Sequence, residues 1–246
     1  TQAVYTSATS QGNFFMEVYG QPLAPAGAGS TATTASVQYT VSYGHSEGSG
    51  SANFTNISGA LGNTATKCVY NQYRQLVFGD ENSNFTFNGH ESKDIWVINI
   101  ARSRYKHSLK EGSLNLRLED GSKKLDFTDD SKTQSGSSTI TNLGRQFNVV
   151  SGSDGVMIGT NLNQTTEGSG SYGFFYPDAG IIIFNGEALR NETPSYWLRG
   201  SSYTSQKLGE KMYNAISNSA AGYGFEIDSE EKISSQYNFI RVKNSE

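Results

Sequence analysis

Residues 171–186 read SYGFFYPDAGIIIFNG. Two aromatic or β-branched blocks, 172–176 and 181–184, flank Pro177, Asp178, Ala179 and Gly180. Proline presets φ for a turn and glycine accepts its last corner, so this spacing predicts a β-hairpin. Upstream, Ile95, Trp96, Val97, Ile98, Asn99 and Ile100 form a dense apolar run that reads as a central strand. The run passes into ARSRYKHSLKEG, a short helical turn stopped by Gly112. Leu114, Leu116 and Leu118 then alternate with Asn115 and Arg117, a second strand, and a turn over 119–124 leads into a third at 125–128. Residues 36–43, SVQYTVSY, alternate in the same period of two. Another strand over 147–150 ends at SGSDG, where glycines can take positive φ.

Outside these blocks the pattern thins. Residues 1–19 read as a loose arm with one short strand, and 21–35 hold two of the four prolines and almost no large side chain. Helical spacing occurs twice. Ala65, Val69, Gln72, Tyr73 and Leu76 predict a helix over 66–78, with Thr64 or Thr66 as cap and Gly79 as terminator. Cys68 lies beside that stripe and reads as a small buried thiol. Leu208, Met212, Ala215, Ile216 and Ala220 predict a second helix over 207–220. Short strands at 225–227 and 237–242 close the chain, and the abruptness of the last suggests a polypeptide continuing beyond Glu246. The expected fold is mainly β (α+β): antiparallel β-rich structure with two short-to-medium helices and long loops. The expected organisation is an arm and linker over 1–35, then a β-rich region over 36–246 divisible into two subdomains near 156–171. No internal repeat is visible.

Composition narrows the function. Of 246 residues, 17% are charged, 35% hydrophobic and 12% aromatic, with 14 Tyr and 13 Phe, which argues against disorder. A net charge of -4 disfavours direct nucleic-acid binding, which needs a concentrated basic surface. No apolar run approaches the ~20 residues of a membrane-spanning helix. One cysteine excludes an internal disulfide framework and a thiolate zinc cluster.

The search for chemistry yields no catalytic, metal-binding or cofactor-binding residues to nominate. His45, His90 and His107 are too scattered to pair on one face of a strand or helix. GHSEGSGS lacks the lysine of a phosphate loop, and GSDGVMIG lacks the strand-to-helix setting of a dinucleotide site. Carboxylates at 80–81, 119–120, 126–130 and 228–231 fit no calcium-loop template and read as solvated acidic loops. Arg102, Arg104, Lys106 and Lys110 form the one basic run, read as surface or interface ion pairs. The expectation is a non-enzymatic chain with no tightly held transition metal, cofactor or nucleotide.

The ordered blocks carry a resemblance. VQYTVSYGHSEGSGS (37–51), TKCVYNQYRQLVFGDENSNFTFNG (66–89), SKDIWVINIARSRYKHSLKEGSLNLRL (92–118), FNVVSGSDG (147–155), YGFFYPDAGIIIFNG (172–186) and ISSQYNFIRVKNSE (233–246) resemble, in the same order, virion structural proteins of T4-like myophages, as found in phages of marine bacteria. The resemblance implies a structural component of a bacteriophage virion, in the tail or baseplate, partnered by other virion proteins in a symmetric assembly. It implies assembly in the host cytoplasm, no nucleotide, no membrane, and no known site residues to transfer. Contact surfaces are expected from the loops at 20–36, 44–64 and 156–171, with residues 1–12 laid against a partner, and with Arg102, Arg104 and Lys106 pairing at or beside the interface. The alternative is a β-rich carbohydrate-binding receptor-recognition domain, which would expose Trp96, Trp197 or several tyrosines for stacking on sugar.

Overall fold

A computed structural model describes residues 4–6, 15–20, 36–50, 65–119, 124–133, 138–158, 172–192, 208–217 and 224–241. The first strands are β1 (Val4–Thr6), β2 (Phe15–Gly20) and β3 (Ser36–His45), followed by helix α1 (Ala65–Phe78). A small hairpin, β4 (Phe85–Phe87) with β5 (His90–Ser92), precedes β6 (Asp94–Ile100). Then come β7 (Ser108–Leu109), β8 (Asn115–Glu119), β9 (Lys124–Asp129), β10 (Thr139–Thr141), β11 (Gly144–Ser153) and β12 (Val156–Met157). The predicted hairpin is β13 (Gly173–Tyr176) with β14 (Ile181–Asn185), and it runs into α2 (Gly186–Glu192). Helix α3 (Leu208–Ser217), β15 (Phe225–Glu226) and β16 (Ser229–Glu230) complete the described elements.

The main sheet has the order β1-β2-β3-β6-β14-β13-β11-β9-β8-β15, and every pairing among the described residues is antiparallel. The chain is therefore mainly β, as its patterning predicts, with three described α-helices where spacing predicts two. The 173–185 hairpin inserts between β6 and β11, strands separated from each other by more than forty residues of sequence.

That central position explains the unbroken apolar runs. Trp96, Ile98, Ile100, Phe175, Ile182 and Phe184 join one core, and Ile95, Val97, Phe174, Tyr176, Ile181 and Ile183 join a second on the opposite face. Successive side chains of a strand point to opposite faces, so a strand covered on both sides must be apolar throughout. The first core holds Leu208, Met212, Ala215 and Ile216 of α3, which packs against β2, β3 and β8. Tyr39 of β3 meets Phe225 of β15 edge-on at 5.3 Å, so the sheet curls round this core. The second core is roofed by α1 and the β4–β5 hairpin, through Tyr70, Tyr73, Val77, Phe85 and Phe87.

Helix α1 lies directly on β3. A Cβ placed on Gly44 would sit 2.8 Å from the Tyr70 backbone nitrogen, so only glycine admits the helix at that distance. The buried stripe is Thr66, Tyr70, Tyr73 and Val77, rotated from the one the sequence pattern suggests. Leu76 and Cys68 are exposed, which corrects the expectation of a buried thiol. The reason is polar satisfaction: the Tyr70 hydroxyl donates to the Ser92 carbonyl at 2.7 Å and accepts from the Phe85 amide at 3.0 Å. A tyrosine so paired can be buried as a core residue.

Three further expectations need correction. The 101–112 segment holds only a 3-10 turn at Arg102–Arg104 before β7 forms. Helix α2, missed in the sequence, is capped by Asn185, whose Oδ1 accepts from the Glu187 and Ala188 amides at 3.1 and 3.3 Å. Residues 237–241 form no strand, and among the described residues their backbone finds no partner to complete a strand's hydrogen bonds. The described part of the amino-terminal arm, Val4–Thr6, pairs with β2 in the chain's own sheet. Residues 207 and 218–220 of the second predicted helix lie outside the described residues.

Candidate contact surfaces

The acidic stretch 126–130 is built into the fold. The Asp129 carboxylate is buried and accepts from the Gly112 amide at 2.7 Å and the Leu114 amide at 3.3 Å. Asp130, also buried, accepts from the Asn148 amide and side-chain nitrogen, each at 2.8 Å. These two carboxylates tie the β7–β8 loop and β11 to the end of β9, which corrects the solvated-loop expectation. Asp126 pairs with Arg117, the Arg117 Nη2 donating to its Oδ2 at 2.9 Å. Among the described residues no group of three or more His, Cys, Asp or Glu side chains is arranged to hold a metal ion. No described helix is long and apolar enough to cross a membrane.

The basic run is occupied within the chain. Arg102 donates to the Tyr105 carbonyl at 2.8 Å and lies over its ring, 4.6 Å from the centroid. Arg104 donates to the Val37 carbonyl at 3.3 Å and to the Ser36 hydroxyl. Lys106 and Lys110 face Glu231 and Asp228 at 3.5 and 3.9 Å, flanking the β7–β16 pairing. The acidic residues beside these lysines belong to the same chain. His107 accepts the Lys232 amide at its Nδ1, 3.0 Å away, so it anchors the chain leaving β16. His45 accepts the Glu47 amide at Nδ1, at 3.0 Å, and Glu47 pairs with Lys93 at 2.8 Å.

One charged cluster was not nominated from sequence. Arg145 donates to Asp178 through its backbone amide at 2.9 Å and through Nη2 at 2.6 Å, and its Nη1 reaches Glu111. The Arg145 guanidinium holds the Asp178 carboxyl below its ordinary value of 3.8. This locks the turn of the 173–185 hairpin to the start of β11. The only signal in the sequence was Asp178 in the turn, which the turn pattern already explained.

Exposed apolar side chains concentrate in two places. On the β11–β12 hairpin, Val156, Met157 and Ile158 are exposed. Its turn is Asp154-Gly155, both at positive φ (52° and 71°), the geometry that suits the twist of a two-residue hairpin. Beside it lies a groove of about 260 Å³ among β8, β9 and β11, lined by Leu116, Arg117, Asp126, Phe127, Asp154 and Glu226, among others. The second place is the segment 231–241, where Ile233, Tyr237, Phe239 and Ile240 are 83, 79, 96 and 86% exposed. Among the described residues its backbone from 233 onward makes no hydrogen bond.

These positions revise the expected surfaces. Residues 44–50 pack on their own domain, with the Ser46 amide bonded to the Lys93 carbonyl at 2.8 Å and the Ser49 carbonyl accepting from Thr66 at 2.8 Å. Residues 156–158 are exposed as expected, while 20–35, 51–64 and 159–171 lie outside the described residues, except Gly20, which pairs in the sheet. Trp96 is wholly buried and offers no sugar platform, and Trp197 lies outside the described residues. Compared with protein-family models, with curated proteins and with solved structures, the chain matches none of them.

Proposed function

We propose that this chain is a non-enzymatic structural component of a bacteriophage virion, placed in the tail or baseplate, acting through protein–protein contact. The observation that carries the reading is the distribution of apolar side chains. Aromatic and branched residues fill two cores, yet four large apolar side chains stand in water on one segment outside any described helix or strand. Such a concentration on a soluble surface marks a place where another macromolecule sits. The resemblance of blocks 37–51, 66–89, 92–118, 147–155, 172–186 and 233–246 to myophage virion proteins supplies the setting. The low charge fraction suits close contact, since few ionic groups must be desolvated when surfaces meet.

The test is to purify particles of a phage encoding the chain, find it by mass spectrometry, and locate it in a density map. A position in tail or baseplate, with segment 231–241 buried against a neighbour, supports the proposal. Absence from the particles overturns it. Glycan binding by the isolated chain, without particle contacts, transfers the reading to the carbohydrate-recognition alternative.

A further inference from the structure

We infer that Asn88 is a site of spontaneous deamidation, selected by the fold from the chain's two Asn-Gly pairs, and that its conversion to isoaspartate loosens the hairpin that roofs the second core. This goes beyond the virion reading and does not depend on it.

The chemistry is intrinsic to the pair. The backbone nitrogen of the glycine, once a base has taken its proton, attacks the side-chain carbonyl carbon of the asparagine before it. A carbon–nitrogen bond closes a five-membered cyclic imide, and the side-chain nitrogen leaves as ammonia. Water then opens the imide at either carbonyl, giving aspartate or isoaspartate and one new negative charge. Glycine favours the step because no Cβ hinders its nitrogen or restricts its rotation.

The sequence holds two such pairs, each preceded by phenylalanine: Phe87-Asn88-Gly89 and Phe184-Asn185-Gly186. Local chemistry is therefore nearly the same at both, and the fold separates them. Asn88 and Gly89 form the turn of the β4–β5 hairpin, both exposed and both at positive φ (48° and 85°). Tight hairpin turns favour Asn-Gly, so folding carries this pair to a surface tip. The Gly89 amide makes no hydrogen bond among the described residues, and a Cβ on Gly89 would meet nothing within 4 Å. The nucleophile thus has room to swing toward the asparagine side chain. With three residues in each strand, the hairpin tip opens locally at little cost.

Asn185 has the opposite setting. It is wholly buried, its Oδ1 accepts the two amides of the α2 cap, and a Cβ on Gly186 would lie 2.6 Å from the Asp94 carboxyl carbon. The rotation that reaction needs is blocked until β14 leaves the sheet. The related Asp154-Gly155 pair is also held, because the buried Gly155 amide donates to the Thr128 hydroxyl at 2.7 Å.

Conversion at Asn88 reaches the core. Isoaspartate routes the main chain through the side-chain methylene, so the two-residue turn gains an extra backbone carbon. The register that pairs Phe87 with His90 and Phe85 with Ser92 then shifts. Phe87 stacks on Phe174 at 4.6 Å, and the Phe85 amide donates to the Tyr70 hydroxyl at 3.0 Å. Both contacts join the hairpin to the sheet and to α1.

Ageing the full chain in mildly alkaline buffer, with peptide mapping by mass spectrometry at intervals, tests this. The Asn88 peptide should gain the Asn-to-Asp mass difference as two chromatographic products, aspartate and isoaspartate. Asn185 should convert at least about tenfold more slowly, since its reaction waits on the opening of a core strand. In urea the two sites should convert at rates within about twofold, because burial then no longer separates them. Both comparisons use the unaltered chain. Aged protein should also exchange amide hydrogens faster in α1 and the β4–β5 hairpin than fresh protein does. Asn88→Gly, which tolerates positive φ and removes the side-chain amide, should abolish that ageing effect. Three results would overturn the inference: Asn88 intact in the folded chain while converting in urea, Asn185 converting as fast as Asn88 in the folded chain, or converted protein with unchanged exchange in α1.

Discussion

The 173–185 hairpin and the segment 231–241 are built from the same kinds of residue and meet opposite fates. Phe174, Phe175, Tyr176 and Ile181 through Ile183 are buried on both faces of the sheet; Tyr237, Phe239 and Ile240 stand exposed, covered by nothing among the described residues. What separates them is hydrogen-bonding opportunity. The hairpin has strands waiting on either side, with Ile182 opposite Ile98 and Phe147 opposite Phe175. The later segment follows the last two-residue strand, and its backbone from 233 onward bonds to no described strand. Apolar content therefore signals burial against something, within the chain or beyond it.

The contrast can be broken most directly by truncation. Ile98→Ala should cost about 2–5 kcal/mol, because the site is sealed by β3 and β14 and cannot collapse. Ile240→Ala should change stability of the dilute chain by less than about 0.5 kcal/mol. Urea midpoints of the two variants check both, and equal losses would mean that the segment packs on its own domain.

Next in size is Asp129→Ala, expected to cost roughly 2–4 kcal/mol by leaving the buried Gly112 and Leu114 amides unpaired. A loss under 1 kcal/mol in urea would show that water replaces the carboxylate. Gly44→Ala should cost about 1–3 kcal/mol by forcing α1 off β3. Native-state hydrogen exchange should then quicken in α1 and the β4–β5 hairpin while β8 and β9 stay protected.

The smallest effect concerns acid. Asp178 titrates below 3.8 in the folded chain because Arg145 favours its charged form. The stabilisation is complete above that ordinary value and is lost as pH falls through the lower folded value. Asp178→Asn should therefore flatten the fall of melting temperature below about pH 4 and lower it slightly at neutrality. An unchanged acid slope would show that the pair is mutually solvated.

Much of the sheet was legible in advance. The strands at 36–43, 95–100, 114–118 and 147–150 and the hairpin over 172–184 follow from period and turn chemistry. The face of α1 differs from the predicted one because Tyr70 counts as half-polar until its hydroxyl finds partners, whereas Tyr73 stands in both the predicted and the observed stripe. Helix α2 spans seven residues, too few for a helical period to emerge, and its only mark is the Asn185 cap. The 237–242 pattern promised a strand, but alternation records what a strand would like to bury and says nothing of an available edge. Asp129 and Asp130 looked like any acidic loop, since the amides they bind come from 112–114 and 148, distant in sequence.

The order of strands also has a meaning in time. A ribosome delivers β6 by residue 100 and β11 by residue 153, yet the hairpin that joins them arrives only with residues 173–185. At about 5–20 residues per second, β6 waits roughly 4–16 s for β14. Until then the nascent chain carries the apolar β6 and the mixed β11, each with one open edge, a form that invites wrong pairings between chains. Crowding of nascent copies on one message, or a pause before residue 173, should divert this protein to aggregates more readily than any surface substitution would.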